Sequence, residues 1–417
     1  MNQNQTVSPA AWIGWDWADE HHDLFVQEAT GKTESLRLAN EPGAMHTWLK
    51  GLSDRLQQQP VTLCVEAGRS SVLAILEQYA FVRIYVLNPK SLTQFRQAVR
   101  PSGAKNDRLD CRLACQFIKN HSQELSAHVA QDPINRELSA LVRLRRDLVN
   151  ERTALANKLT ATLKDYYPLA LELLDHDTTT ALAANFILKF PTLRAVQQAK
   201  LHKVRQFFAG QRCHLTEKLQ GRLDQIADAT AVSTAPDWNN PYSFLAQTIA
   251  EQIKVLVGRI KEIEERIAIL SAQHPQQSLA KSLPGAGPAL ESRIMVALAG
   301  LPESAQRVAV RSGVAPQRVQ SGKTCVMHLR YHKPQFLHQT WVEYAKSSTL
   351  HCDWARRFLQ AKLAQGKTYY TAIRGLAYKW MRILCACAKN GTPYDEARYL
   401  QSLIKRNSPY AQFAEAA

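Results

Sequence analysis

The run Trp12-Ile13-Gly14-Trp15-Asp16-Trp17 is apolar except for one acid, and that acid decides how the N-terminal third is read. A carboxylate in an apolar strand is costly to bury unless it stays ionised beside a cation or a metal, so Asp16 needs a partner. Working outward, Asp23 to Ala29 and Glu34 to Leu38 read as two further strands between turn residues. A helix from Ala44 to Leu56 follows, and then the unbroken apolar run Val61 to Val65, which reads as a buried strand. Ser71 to Tyr79 reads as helix and Val82 to Leu87 as strand; Pro89 opens a short helix, and Asn106 to Asn120 makes a longer one.

Three strands and then alternating helix and strand is the order of a ribonuclease H-like α/β fold, expected over 1–125. The middle changes character. Leu141, Leu148 and Leu155 recur every seven residues, and Leu138, Leu159 and Leu163 widen the stripe into one long amphipathic helix. A second stripe, from Ile249 through Ile253, Leu256, Ile260, Ile263 and Ile267 to Leu270, alternates steps of four and three, with Glu262 and Arg266 placed to pair across a turn. That is a coiled-coil seam. The two stripes either pack on each other antiparallel within one chain or join copies into a dimer or tetramer, and the pattern leaves both open. The expected helical, coiled-coil domain spans 126–275; its stretch 166–238 carries no assignable chemistry. After His274 and Pro275, the turn Leu283-Pro284-Gly285-Ala286-Gly287-Pro288 before an apolar helix from Leu290 to Leu298 reads as a helix-hairpin-helix in a helical C-terminal domain, 276–417. Gly285 and Gly287 would let the backbone approach a phosphate, with the next helix offering its free N–H groups. A plain interhelical turn has the same pattern.

The chain has 417 residues, with 52 Lys and Arg against 36 Asp and Glu, a formal charge of +16. A polyanionic partner is the inference. The surplus is concentrated late: between Arg311 and Arg382 the only carboxylates are Glu343 and Asp353, so that stretch is a candidate phosphate-facing surface. The N-terminus has no basic region followed by an apolar run, and no apolar stretch approaches the roughly 20 residues that span a bilayer. No membrane partner and a cytoplasmic location are expected. The eight cysteines contain no Cys-x-x-Cys pair; Cys111 and Cys115, like Cys385 and Cys387, read as buried thiols, with no zinc site expected.

Four acids could carry chemistry. Glu66 ends the run Leu63-Cys64-Val65-Glu66, at the carboxyl end of a strand, where α/β sheets form sites. Asp107 and Asp110, three apart at a helix start, face the same side, although acids there also complement the helix dipole. Asp16, Glu66, Asp107 and Asp110 together are a candidate ligand set for a hard divalent cation, most simply Mg2+, in phosphoryl transfer.

The segments Gly14-Trp15-Asp16, Val65-Glu66-Ala67, Asn88-Pro89-Lys90, Ala104-Lys105-Asn106-Asp107-Arg108-Leu109-Asp110 with Leu113-Ala114, then Leu283 to Pro288 and Ser312-Gly313-Val314-Ala315-Pro316 leading to Gln320-Ser321-Gly322, together resemble the DEDD transposases of the insertion-sequence family numbered one-ten. The resemblance spans both ends of the chain in order. It implies a RuvC-like domain, a coiled-coil middle and a C-terminal transposase domain whose serine, Ser321 here, is the nucleophile. It further implies a covalent phosphoserine–DNA intermediate, a composite site in which the carboxylates and their metal assist, and a structured RNA that chooses donor and target DNA. From its residues alone Ser321 is a polar turn residue. Arg318, Lys323 and Arg330 flank it and are candidates to hold the scissile phosphate; Lys105 and Arg108, beside the acids, are candidates for nucleic-acid contact.

The sequence departs from the family pattern at neighbours of the ligands: Ala67-Gly68 lacks the usual intervening threonine, Asn106 replaces a threonine and Ala18 a serine. After Ser321 the expected basic, glycine-containing stretch is replaced by His328-Leu329-Arg330-Tyr331-His332-Lys333-Pro334. Two other readings suit the residues: a hydrolytic nuclease of the Holliday-junction-resolvase kind, using the acids and metal with water, and a nonenzymatic nucleic-acid organiser, in which four acids would have no purpose.

Overall fold

The computed structural model describes residues 8–66, 70–99, 107–210, 216–299, 304–322, 324–331 and 333–411. The chain divides into two compact units, Met1–Ala130 and Gln131–Ala417. Among the described residues no helix is long and apolar enough to cross a membrane.

The first unit is a mixed sheet between helices. Its elements are β1 (Ala11–Trp17), β2 (His21–Glu28), β3 (Thr33–Ala39), α1 (Pro42–Arg55), β4 (Val61–Glu66), α2 (Ser70–Leu76), β5 (Val82–Leu87), α3 (Pro89–Val99) and α4 (Asp107–His121). The strand order is β3-β2-β1-β4-β5; β1, β2 and β3 run antiparallel, whereas β1, β4 and β5 run parallel. Because side chains alternate across a strand, the two faces build separate cores. Ile13, Trp15, Leu63 and Val65 pack with Met45, Leu49 and Leu52 of α1 and Val72 and Leu76 of α2. On the other face Cys64, Tyr85 and Leu87 meet Leu92 of α3 and Leu113, Ala114 and Ile118 of α4.

The second unit is helical apart from one hairpin. Two long helices, α5 (Pro133–Tyr166) and α11 (Pro236–Gln273), enclose five short ones: α6 (Leu169–Leu173), α7 (Ala181–Lys189), α8 (Leu193–Gln198), α9 (Leu201–Gly210) and α10 (Thr216–Asp228). The apolar stripes of α5 and α11 face each other. Leu138 and Val142 meet Ile267 and Leu270 at one end, while Leu159 and Leu163 share a core with Ile249 and Ile253 at the other, an antiparallel order. Arg145 to Glu264 at 2.6 Å and Arg266 to Glu137 at 2.7 Å tie the two helices across the seam. Of the two arrangements the pattern left open, the stripes take the antiparallel one within the chain.

The helical C-terminal part continues with α12 (Gln277–Lys281), α13 (Pro288–Leu298), α14 (Ala305–Arg311), α15 (Gln335–His351), α16 (Asp353–Ala364), α17 (Tyr369–Asn390) and α18 (Glu396–Lys405). Its core is aromatic, with Trp341, Tyr344, Trp354 and Trp380 fully buried. Two of its indoles donate to buried acceptors, Trp354 to Tyr394 and Trp380 to Ser348, each at 2.8 Å. Residues of α5, α11, α12 and α13 share one cluster, so the helical middle and the C-terminal segment lie within a single compact unit. One expectation needs correcting here: the segment around Ser321 is a two-stranded antiparallel hairpin, β6 (Gln317–Ser321) and β7 (Thr324–His328), in an otherwise helical region.

Candidate active site

Two of the four acids sit at the carboxyl ends of neighbouring parallel strands. The β1–β4 register pairs Gly14 with Cys64 and Trp15 with Val65, which puts Asp16 and Glu66 at the same level. Gly14 faces α4, and Cys64 belongs to the core on that side. Strand alternation carries Asp16 and Glu66, two residues on, to the same face.

The approach of α4 to β1 depends on Gly14. A Cβ there would lie 1.9 Å from the carbonyl oxygen of Cys111 and 2.8 Å from the amide nitrogen of Cys115. The thiols of these two residues donate to the strands, Cys111 to the Asp23 carbonyl at 2.9 Å and Cys115 to the Trp12 carbonyl at 3.2 Å. Burial pushes the Cys111 thiol far above its usual range, and the negative charges of Asp16, Asp23 and Asp110 add to the effect, opposed by a hydrogen bond to the Asp16 backbone. Those three carboxylates therefore all bear electrostatically on one buried thiol.

Asp110, in the first turn of α4, is buried and pairs with Arg96 of α3 at 3.3 Å. Asp107 opens α4; its side chain and that of Arg108 lie outside the described residues, as do Lys105 and Lys323. Sequence reasoning missed Asp23. It stands directly across from Asp16 in the β1–β2 register, is buried, and is held by Arg37 at 3.2 Å and by His21 at 3.6 Å. Its signal was an acid in the alternating run of β2. Arg37 and Arg96 supply the positive charge that buried carboxylates require.

All these donors are carboxylate oxygens at one end of one sheet face, the donor chemistry a hard divalent cation takes. Among the described residues no three His, Cys, Asp or Glu side chains are close enough to hold one ion.

The C-terminal candidates fall in different settings. Ser321 closes β6, opposite Thr324, on an exposed hairpin whose turn residue Gly322 has φ +55°. Among the described residues no side chain hydrogen-bonds its hydroxyl. Arg318 lies along the hairpin, its Nε donating to Cys325 Sγ at 3.2 Å and its guanidinium to Gln320, while Arg330 is half-buried beyond β7. Gly285 adopts φ +75°, and a Cβ on it would lie 2.7 Å from the His351 ring and 3.0 Å from Ser347. Ser347 donates to its carbonyl at 2.6 Å. Close packing on α15 thus accounts for Gly285, whereas Gly287 has open space where a side chain would be.

Comparison with known proteins joins the two ends of the chain. Residues 13–168 match the transposase family model of the IS110 DEDD type, and residues 277–360 match the model described as "Transposase IS116/IS110/IS902 family". The chain belongs to the IS110 family of transposases. The first match contains Asp16, Glu66, Asp107 and Asp110; the second contains the Gly285 turn and Ser321. Across its whole length this IS110-family transposase is similar to the "Mini-circle putative transposase for IS117" of Streptomyces coelicolor, at 20% identity over 95% of this chain and 98% of that one. It is 27% identical to the "Putative transposase y4uE" of Sinorhizobium fredii over 50% of this chain and 61% of that protein's length. It is also 23% identical to the "Insertion element IS110 uncharacterized 43.6 kDa protein" of Streptomyces coelicolor, over 71% and 73% of the two chains.

Proposed function

We propose that this protein is a DNA transposase that breaks and rejoins DNA by phosphoryl transfer, with Ser321 as nucleophile and Asp16, Glu66, Asp107 and Asp110 as the ligands of a divalent cation, Mg2+. The observation that carries the reading is that the β1–β4 register brings Asp16 and Glu66 to the same end and face of the sheet, the face on which α4 packs and carries Asp110. The strand order β3-β2-β1-β4-β5, antiparallel then parallel, supports a ribonuclease H-like assignment for the first unit.

In the proposed reaction the Ser321 oxygen attacks a scissile phosphorus and loses its proton. The bond from phosphorus to the deoxyribose oxygen breaks, and that oxygen leaves with a proton as a free hydroxyl. A DNA hydroxyl then attacks the phosphoserine, giving its proton up and returning the serine oxygen with one, so no external energy source is consumed. A serine hydroxyl is a weak nucleophile until a base or metal assists it; the bound cation would supply that activation and neutralise charge on the phosphate. A structured RNA that selects donor and target DNA fits the positive charge of the chain and is part of the same proposal.

The deciding experiment compares Ser321→Ala and Asp16→Asn with wild type on a plasmid carrying the element ends. Both variants are expected to lose recombination, and Ser321→Ala to lose the covalent protein–DNA adduct. Free DNA ends in the Ser321→Ala variant, abolished by Asp16→Asn, would replace this reading with a hydrolytic nuclease. Calorimetric titration with Mg2+ tests the ligands independently of activity, with weakened binding expected in Asp16→Asn and Glu66→Gln. Sequencing of copurifying RNA tests the guide.

A further inference from the structure

The second unit exposes an aromatic platform of its own. Tyr370 is 63% exposed at the start of α17 and meets Tyr369 edge to face, with ring centroids 5.6 Å apart. Lys346 of α15 reaches over both rings, 5.1 Å from the centre of Tyr370 and 6.0 Å from that of Tyr369. Leu350, 74% exposed, lies one turn along α15 from Lys346, on the same face. Arg374 stands one turn along α17 from Tyr370, its Nη2 donating to Thr371 at 3.2 Å. Lys367, exposed, precedes the tyrosines. The Gly285 turn packs on Ser347 and His351, one position beyond Lys346 and Leu350, and so borders the same face.

Charge identifies what covers this surface. From Arg311 to Arg382 the two carboxylates are already engaged: Glu343 by Arg146 and Arg293, and Asp353 by Arg356 and Arg357. Among the described residues Lys346, Lys367 and Arg374 form no ion pair with an acid, and no Asp or Glu occurs in the sequence from 354 to 394. An apolar partner would leave these cations desolvated. A polyanion with flat, stackable groups satisfies both halves of the patch: phosphates for the cations and unpaired bases for the rings. A duplex keeps its bases stacked on one another and presents no free face to a tyrosine.

We infer that Tyr370, with Tyr369, Lys346 and Arg374, binds an unpaired nucleotide stretch of a nucleic acid, one base stacking on the Tyr370 ring. The inference rests on the transposase reading for the presence of nucleic acid, but not on its chemistry. Unpaired strands arise from opened DNA and from RNA loops, and the sugar separates the two sources.

The test measures binding of the full chain, without divalent cation, to labelled dT20, U20 and a 20-base-pair duplex by fluorescence anisotropy. Tyr370→Leu keeps an apolar side chain and removes the π face; it should weaken single-strand binding by about tenfold, with Tyr370→Trp restoring it and duplex binding unchanged. Lys346→Ala should lower the salt dependence of single-strand binding by roughly one phosphate contact. A loss on dT20, U20 or both supports the platform and names its source. Wild-type affinity of Tyr370→Leu for both single strands, or equal losses on single strands and duplex, overturns it. Because binding is read without strand breakage, loss of the Ser321 adduct chemistry leaves this result standing, and the converse holds.

Discussion

Gly14→Ala is the sharpest test of how the first unit holds its acids. The added Cβ would meet the Cys111 carbonyl oxygen at 1.9 Å, and α4 must retreat by about 1.5 Å to reach ordinary contact near 3.4 Å. The obstacle is helix backbone, which has no rotamer to change, so the cost falls at or above the top of the usual overpacking range, about 3 kcal/mol. Retreat would also stretch the thiol hydrogen bonds of Cys111 and Cys115 to β2 and β1. For a unit of this size that cost lowers the melting midpoint by roughly 10 °C. Asp110 immediately precedes Cys111 and moves with it; if Asp110 is the metal ligand proposed above, a displacement of about 1 Å there costs on the order of a hundredfold in rate. Thermal melting by circular dichroism and a strand-breakage assay on the full chain measure the two effects. A variant that melts with wild type and breaks DNA at the wild-type rate would refute the claim that Gly14 sets the distance between α4 and β1.

The opposite sign is expected at Gly258→Ala, in the middle of α11 with open space around it; chemical denaturation should show a gain of about 0.5–1 kcal/mol. Glu343→Ala strips the partner from Arg293, which is buried and also bonds Thr340, and from Arg146. Urea titration should report a loss of about 3 kcal/mol, the low end for breaking a buried pair because Glu343 is partly exposed. Lys379 lies against Phe358 and Tyr410, and burial, with Arg382 and Lys362 adding, lowers it to about 8. Its folded value is below its unfolded one, so the penalty is full below pH 8 and fades as pH rises toward the ordinary lysine range, where the unfolded chain also sheds its proton. Lys379→Met should therefore exceed wild type in melting midpoint at pH 7 by more than at pH 10; a constant difference would contradict the burial argument.

What could be read from the residues follows from what burial writes into a sequence. Asp16 and Glu66 were legible because an acid in an apolar strand breaks a pattern, and the register of β1 with β4 then places both at one end of the sheet. The α5–α11 seam was legible as a stripe but not as a partnership, since apolar periodicity says which face is covered and not by whom; pairs such as Arg145 with Glu264 join residues too far apart in sequence to be matched beforehand. Asp23 escaped because β2 was expected to begin there, so the acid looked like a strand edge, whereas the strand starts at His21 and sets Asp23 opposite Asp16. The requirement for Gly14 depends on a helix nearly a hundred residues later. The Ser321 hairpin is exposed along both strands, so no buried face imprinted a period of two on it, and the turn chemistry of Gly322 was its only local trace. An exposed serine leaves no burial signature, which is why resemblance alone singled out Ser321 while physical chemistry singled out the acids. Substitution of Ser321 consequently tests the family inference, and substitution of Asp16 tests the physical one. A protein that tolerates the first and not the second would keep the acids in the proposed reaction and sink the serine nucleophile.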